Sequence, residues 1–458
     1  MASSRKSQPN SFDVEAAVGR ALGPLLFPRA RLVLGLSGGV DSVVLLEVLR
    51  RLAPRLDFRL SCVHVNHGIS PNARRWAAFC ARRCKRHAIA LALHEVDVEP
   101  YRADGLEAAA RRARYEVYAG QKGDFIVLAQ HLDDQAETLL LQLLRGAGVK
   151  GGAAMPLLRQ QDAAKEGKRA RAPAILRPML AVSRKQIEAY ATARKLTWVE
   201  DESNADTRRD RNFLRHRVLP VIGQAFPGYR ATFSRAAKHL AEASLILDEL
   251  AQADAKPAVT GNRVAVAELQ RLGTGRARNL LRWLLMGHGA AAPEADRLQE
   301  ALRQVVKARD DAAVHIVLGT WELRRFDGYA YLLPAQPDPP VAMRRNWDGK
   351  RVWPLPELGG TLHFVRRRGA GLAAARVVEP GLGVRLRQGG EKLRLQAGGP
   401  TRSLKNLLQE ARIPPWERER LPLIYYEGAL VAVPGVGVAS AWRAAAGEFG
   451  WLLDWRRR

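Results

Sequence analysis

Cysteine is almost missing from this 458-residue chain, with only Cys62, Cys80 and Cys84 present. Three thiols cannot build a disulfide framework, and none stands in the C-x-x-C spacing of zinc or redox sites, so a reducing compartment is expected. Long apolar runs are missing too, since none reaches the roughly 18 residues that span a bilayer. The opening MASSRKSQPN has no apolar stretch behind its basic residues, which argues against a secretory leader and for a frayed tail. The expected location is therefore cytoplasmic, with no membrane partner. Acidic residues are scarce relative to basic ones: 46 Asp and Glu face 73 Lys and Arg, leaving a formal charge of +27. A large polyanion is the first partner such a surface suggests.

What remains is ordinary for a globular chain. Hydrophobic residues make up 47% and charged residues 26%, with 39 Gly and 25 Pro, so collagen, coiled coil and wholesale disorder are excluded. At about 150 residues per domain, the length suggests roughly three domains.

From Arg31 to Arg145, short β-branched runs (ARLVLGL, LSCVHVNH, IALALHEVDV, DFIVLAQHL) alternate with amphipathic stretches. Near-continuous apolar strands separated by helices predict a doubly wound, mainly parallel α/β sheet, with ligands at the carboxyl ends of its strands. Residues 150–174 break the pattern with a polar basic stretch and are expected to form a mobile loop. Helical periodicity resumes after Ser183, a candidate N-cap. A boundary is expected near Phe226, giving a first domain over 1–226. Residues 227–335 predict a mostly helical second domain, opening on a helix near 233–250. The Pro-rich segment at 334–343 predicts a linker, and 341–458 a small mixed α/β domain. That last unit carries 21 Lys and Arg against 10 Asp and Glu, so it too is expected to touch phosphate.

The sharpest local signal is Ser37-Gly38-Gly39-Val40-Asp41-Ser42, between a strand at 32–36 and a helix expected over 41–52. A strand-to-helix turn presents unpaired N–H groups at the positive end of the helix dipole, and paired glycines let a phosphate approach the backbone closely. The bland alternative is a tight turn with an ordinary cap. No G-x-x-x-x-G-K-[ST] occurs, so the Walker-type nucleotide site is excluded. Asp134 and Glu137, three apart at the start of a helix, project to one face; they could hold an ammonium or merely complement the helix dipole.

This turn resembles the pyrophosphate (PP) loop of the ATP pyrophosphatase superfamily. The series HVNHGIS (64–70), EAAARRARY (107–115), HLDDQAETLLLQLLRG (131–146), RPMLAVSR, WVEDESN and RNFLRHRVLP narrows the resemblance to tRNA(Ile)-lysidine synthetases. It covers nearly all of 31–222, and KNLLQEARIPPWERERLP extends it into the last unit. Two departures stand out: Gln130-His131 where the family tends to have two histidines, and Ile69-Ser70 where it has Leu-Arg. The resemblance implies a Rossmann-like PP-loop fold and a two-step ligation. ATP, with Mg²⁺, adenylates the 2-position oxygen of the wobble cytidine of a CAU-anticodon isoleucine tRNA, and the ε-amine of L-lysine then displaces AMP.

By that resemblance, Ser37, Gly38, Gly39, Val40, Asp41 and Ser42 bind ATP, Asp41 assists metal placement, and Asp134 and Glu137 hold lysine. Arg111 assists adenylation; by spacing alone it would sit on a solvated face paired with Glu107. Arg211 and Arg215, with Asn212, are expected to contact RNA or nucleotide phosphate, although composition allows a plain solvated helix face. His64 and His67 lack a third metal ligand at suitable spacing and are expected, with His131, as loop histidines near the nucleotide. Direct metal ligands are not assigned. The Cys80/Cys84 pair could suggest a tRNA thiolase or another amidating relative, but buried helical thiols are the simpler account. A catalytically silent tRNA-binding protein is the rival from outside enzymes. Trp353, Phe364 and Trp416 are expected in the core.

Overall fold

The computed structural model describes residues 13–161, 172–202, 206–290, 293–309, 312–340, 342–377 and 381–457. The chain divides into two compact units, Met1–Leu247 and Asp248–Arg458.

The first unit runs α1 (Val14–Leu22), β1 (Ala30–Gly35), α2 (Val40–Leu56), β2 (Phe58–Asn66), α3 (Ala73–Arg86), β3 (Ala90–Glu95), α4 (Leu106–Ala119), β4 (Phe125–Val127), α5 (Leu132–Leu144), α6 (Val149–Gly152), β5 (Leu158–Arg159), β6 (Ala174–Leu176), α7 (Arg184–Ala193), α8 (Asp210–Phe213) and α9 (Leu219–Ala225). Its sheet has the order β3-β2-β1-β4-β6-β5, parallel except for β5. Successive residues of β1 serve opposite faces. Leu32, Leu34 and Leu36 pack with residues of α1, α2 and α3, whereas Val33 joins Ile126, Ile175 and Tyr118 of α4 on the other side. Burial on both faces explains why the strand reads as a continuous apolar run. Strand order reverses between β1 and β4, and that switch point opens the crevice in which such sheets bind ligands.

The expected loop at 150–174 is corrected in part. Its start carries the end of α6, and β5 lies within it as an antiparallel edge strand on β6; residues 162–171 lie outside the described residues. Ser183 caps α7 as expected, accepting from Gln186 N–H at 3.4 Å.

The long helix α10 (Tyr229–Ala258) begins earlier and ends later than 233–250. The division between the two compact units, at 247/248, falls inside it. In the second unit, β7 (Val259–Thr260), β8 (Arg263–Ala265), α11 (Val266–Gly287), α12 (Ala295–Lys307), β9 (His315–Leu318), β10 (Trp321–Phe326) and β11 (Tyr329–Pro334) follow. The helices therefore share this stretch with a five-stranded antiparallel sheet in the order β7-β8-β11-β10-β9. Beyond residue 343, short strands form antiparallel sheets of five, four and two strands, with short helices at Leu404–Glu410 and Pro415–Arg418. Their cores are separate from the helical one. Trp353 and Phe364 are core residues as expected. Trp416 instead packs its ring on Phe326 and Tyr331, 6.2 and 5.2 Å between centroids, and so joins the last sheets to β10 and β11.

Candidate active site

The turn after β1 has a geometry that can receive an anion. Gly38 has φ +92°, a conformation that favours glycine, and its N–H donates to Ser42 Oγ at 3.1 Å. Ser42 Oγ–H donates to Gly39 O at 3.0 Å, and Ser37 Oγ lies 3.2 Å from Ser42 Oγ. The N-cap of the 17-residue α2 is Gly39, and no side chain caps it. Its first-turn N–H groups therefore lie at the positive end of the helix. Val40 is a buried residue of the first helical turn, so it can offer only its backbone.

The turn is braced from behind. Leu36 O accepts from His64 Nδ1–H at 2.8 Å and from the Cys80 thiol at 3.8 Å, while Val199 N–H donates to Gly38 O at 3.0 Å. A Cβ on Gly38 would meet Val199 Cγ2 at 2.9 Å and Cys80 Sγ at 3.2 Å. Gly38→Ala is thus expected to cost about 1–3 kcal/mol of stability, because strained φ and a close contact act together. Thermal denaturation of the variant beside the wild type checks it.

His64 is not a loop histidine. It is a β2 residue, buried and committed to Leu36, and burial keeps it below its ordinary range and neutral. His67 does follow the strand; burial, with Arg114 and His64 adding to it, pushes it down to about 4. Arg114 Nε–H donates to its Nε2 at 3.3 Å.

Across the switch point, His131 stands at the N-cap of α5 and is 3% exposed. Its Nε2 lies 3.7 Å from Asp41 and 3.5 Å from Asp134, and its Nδ1 3.8 Å from Asp133. Each of these acids has an arginine. Arg184 Nη1–H donates to both oxygens of Asp41 at 3.0 and 2.8 Å, and Arg230 pairs with Asp133. Arg211 reaches Glu137 at 2.9 Å and Asp134 at 3.1 Å; Arg215 reaches Glu137 at 2.6 Å and Asp134 at 3.2 Å. The two residues expected to hold lysine and the two arginines expected to touch phosphate thus form one ion cluster, its carboxylates buried and its guanidiniums half-buried. Burial raises the Asp134 carboxyl, but His131 and Arg211, followed by Arg215, outweigh it and hold it below the usual range. Asp41 ends above that range, because burial there exceeds the help of His131 and Arg184.

Asn212 is 8% exposed and donates to Asp206 O at 3.0 Å. Arg111 turns to Tyr115, not Glu107, donating to its hydroxyl at 3.3 Å with the guanidinium 4.9 Å from the ring centroid. Arg184, Arg230 and Val199 were missed by the sequence reading, although Arg184 lies within RPMLAVSR and Val199 within WVEDESN. No group of three or more His, Cys, Asp or Glu among the described residues is arranged to hold a metal. Asp41, with 28% of its side chain exposed beside the turn, can offer one oxygen to a cation that brings its remaining ligands with it. No helix among the described residues is long and apolar enough to cross a membrane.

Residues 11–222 match the PP-loop domain family, 265–331 the TilS substrate binding domain and 382–455 the TilS substrate C-terminal domain. A tRNA(Ile)-lysidine synthase of Nitrosomonas europaea is 42% identical over 93% of this chain and 92% of its own length. One of Chromobacterium violaceum is 43% identical over 92% and 94%. Among solved structures, a U34-tRNA thiolase of Methanococcus maripaludis is 18% identical, covers 50% of this chain and 78% of that one, and superposes with a TM-score of 0.41.

Proposed function

The chain belongs to the tRNA(Ile)-lysidine synthase family, and from that premise we propose how its residues divide the work of an ATP-dependent ligase that forms lysidine at the wobble position of an isoleucine tRNA. The 2-position oxygen of the wobble cytidine of a CAU anticodon attacks the α-phosphorus of ATP, and pyrophosphate leaves. The ε-amino nitrogen of L-lysine then attacks C2 and AMP departs with that oxygen. The observation that carries this reading is the meeting, around His131, of the uncapped Ser37–Ser42 turn, Asp41, and the Asp134–Glu137 pair.

The backbone and hydroxyls of the turn hold the phosphates that become pyrophosphate, and Asp41 positions the Mg²⁺ that accompanies ATP. Arg111 neutralises charge growing on the α-phosphate. Asp134 and Glu137 receive the lysine ammonium. Together with Arg211 and Arg215 they are already formally neutral, so an added ammonium leaves one buried cation in excess. An arginine must therefore exchange its carboxylate for a substrate phosphate. Arg215, with 34% of its side chain exposed, suits that exchange.

Residues 1–226 carry the chemistry, while the middle region, 227–335, and the basic residues 341–458 distribute cations along the tRNA, which makes binding salt-dependent. The enzyme works in the cytoplasm, where ATP, lysine and tRNA meet.

Incubation with ATP, labelled L-lysine and a CAU-anticodon isoleucine tRNA transcript should place one lysine per tRNA, with one AMP formed for each. A nucleotide turnover that leaves the RNA unlabelled would refute the assignment. Against a thiolase stand the three cysteines, all buried, with burial pushing the Cys80 thiol up to about 12. Replacing Cys80 and Cys84 together by Ser should leave lysine incorporation intact and lower only the melting temperature; lost turnover at temperatures where the variant stays folded would restore the thiol chemistry.

A further inference from the structure

The acids around His131 are matched by arginines, but a second group of arginines on the same sheet edge is not. Arg177 follows β6 directly, and Gln130, its partner, directly precedes His131. Arg177 is 2% exposed, yet its partners are neutral: Gln130 Oε1 at 3.1 Å, Pro156 O at 2.9 Å, and the Tyr115 hydroxyl. Over the Tyr115 ring stand two further guanidiniums, Arg111 at 4.9 Å and Arg159 of β5 at 5.0 Å from its centroid. Both are exposed. Among the described residues no carboxylate pairs with any of the three.

Three like charges around one phenol repel one another, and a buried guanidinium without an anion is unfavourable unless something else supplies the charge. Burial pushes the Tyr115 hydroxyl up, but Arg111, Arg177 and Arg159 together outweigh it and bring it below its ordinary range. The surroundings of this phenol are those of a site awaiting a negative ligand. Planar guanidiniums held against an aromatic ring are pre-organised for forked hydrogen bonds to phosphate oxygens.

We propose that Arg111 and Arg159, stacked on Tyr115 and backed by the buried Arg177, form a second phosphate site at the carboxyl edge of the sheet, which takes a phosphate of the substrates distinct from those held by the Ser37–Ser42 turn. Arg159 contacts the phosphate; Arg177 and Tyr115 are positioning residues. The inference rests on the ligase reading given above, because that reading brings a polynucleotide and a nucleotide to this edge.

The test uses the full chain with Arg159→Gln, an exposed position whose replacement leaves the core intact, and Arg159→Lys as the variant that keeps the charge. Binding of the CAU-anticodon tRNA transcript is measured across a salt series, and ATP binding by equilibrium dialysis. If the phosphate is one of the RNA backbone, Arg159→Gln weakens RNA binding several-fold and lowers the slope of log affinity against log salt by about 0.7–0.9, with Arg159→Lys restoring most of both and ATP affinity unmoved. If the phosphate is the nucleotide's, ATP affinity falls several-fold and the salt slope stays. Neither change overturns the site. Wild-type lysine incorporation is measured alongside: a wild type that incorporates lysine while Arg159→Gln changes neither affinity refutes the site alone. A wild type that incorporates none refutes the function alone, since both binding arms remain readable.

Discussion

Asp41→Asn is expected to reduce tRNA-dependent pyrophosphate release by about 100-fold or more, the scale seen when a fixed group that meets developing charge is lost. The substitution keeps the shape and one acceptor for Arg184, so the turn should persist and ATP binding should fall far less than turnover. The pH profile supplies a second signature. Burial raises the Asp41 carboxyl above its ordinary range despite His131 and Arg184, so it takes up a proton earlier as pH falls than an exposed aspartate would. Wild-type kcat/KM for MgATP, which reports the free enzyme, should therefore fall on the acid side from a pH above the usual aspartate range, whereas kcat, with the cation held at Asp41, should not, and Asp41→Asn should lack the kcat/KM limb. Pyrophosphate release measured across pH at low and at saturating MgATP checks both.

Glu137→Ala is expected to be the most damaging substitution for the fold of the first unit. Glu137 is 1% exposed and binds both Arg211 and Arg215, so its loss leaves two guanidiniums with only Asp134. Breaking a buried pair from one side costs about 3–5 kcal/mol. The low end applies, because the two arginine side chains keep 31% and 34% exposure and water can reach them. About 3 kcal/mol corresponds to a fall of roughly 6–12 °C in the melting temperature of a unit this size. Glu137→Gln, which keeps shape and an acceptor, should melt closer to wild type and still fail to hold lysine. Equal melting of Ala and wild-type proteins would show that the ion cluster contributes nothing.

The doubly wound sheet was legible because strands buried on both faces must be apolar throughout, as residues 32–36 and 125–128 are. Its edge was not: β5 has two residues inside a polar basic stretch, and its pairing to β6 depends on partners 18 and 16 positions away. The expected strand over 124–132 stops at Val127 because the chain must then deliver Gln130 to Arg177 and His131 to the start of α5. The Ser37–Ser42 turn could be read from six consecutive letters, since its shape lies in local backbone geometry. The arginine partners of Asp134 and Glu137 could not, being 74 to 81 positions distant. A charge string such as Arg208–Arg217 carries no record of which members turn inward. The same limit hid the grouping of Arg111, Arg159 and Arg177, and the short strands that accompany the helices after α10.

The most direct test of two half-reactions served by neighbouring groups on one sheet edge is single-turnover pyrophosphate release with and without L-lysine, on wild type, Asp41→Asn and Glu137→Gln. The wild type should release pyrophosphate without lysine and pass lysine into the RNA when it is added. Asp41→Asn should lose the release itself, whereas Glu137→Gln should keep release and lose the transfer of lysine. Release that survives in Asp41→Asn, or that is lost equally in Glu137→Gln while the protein remains folded, would contradict this division of the site.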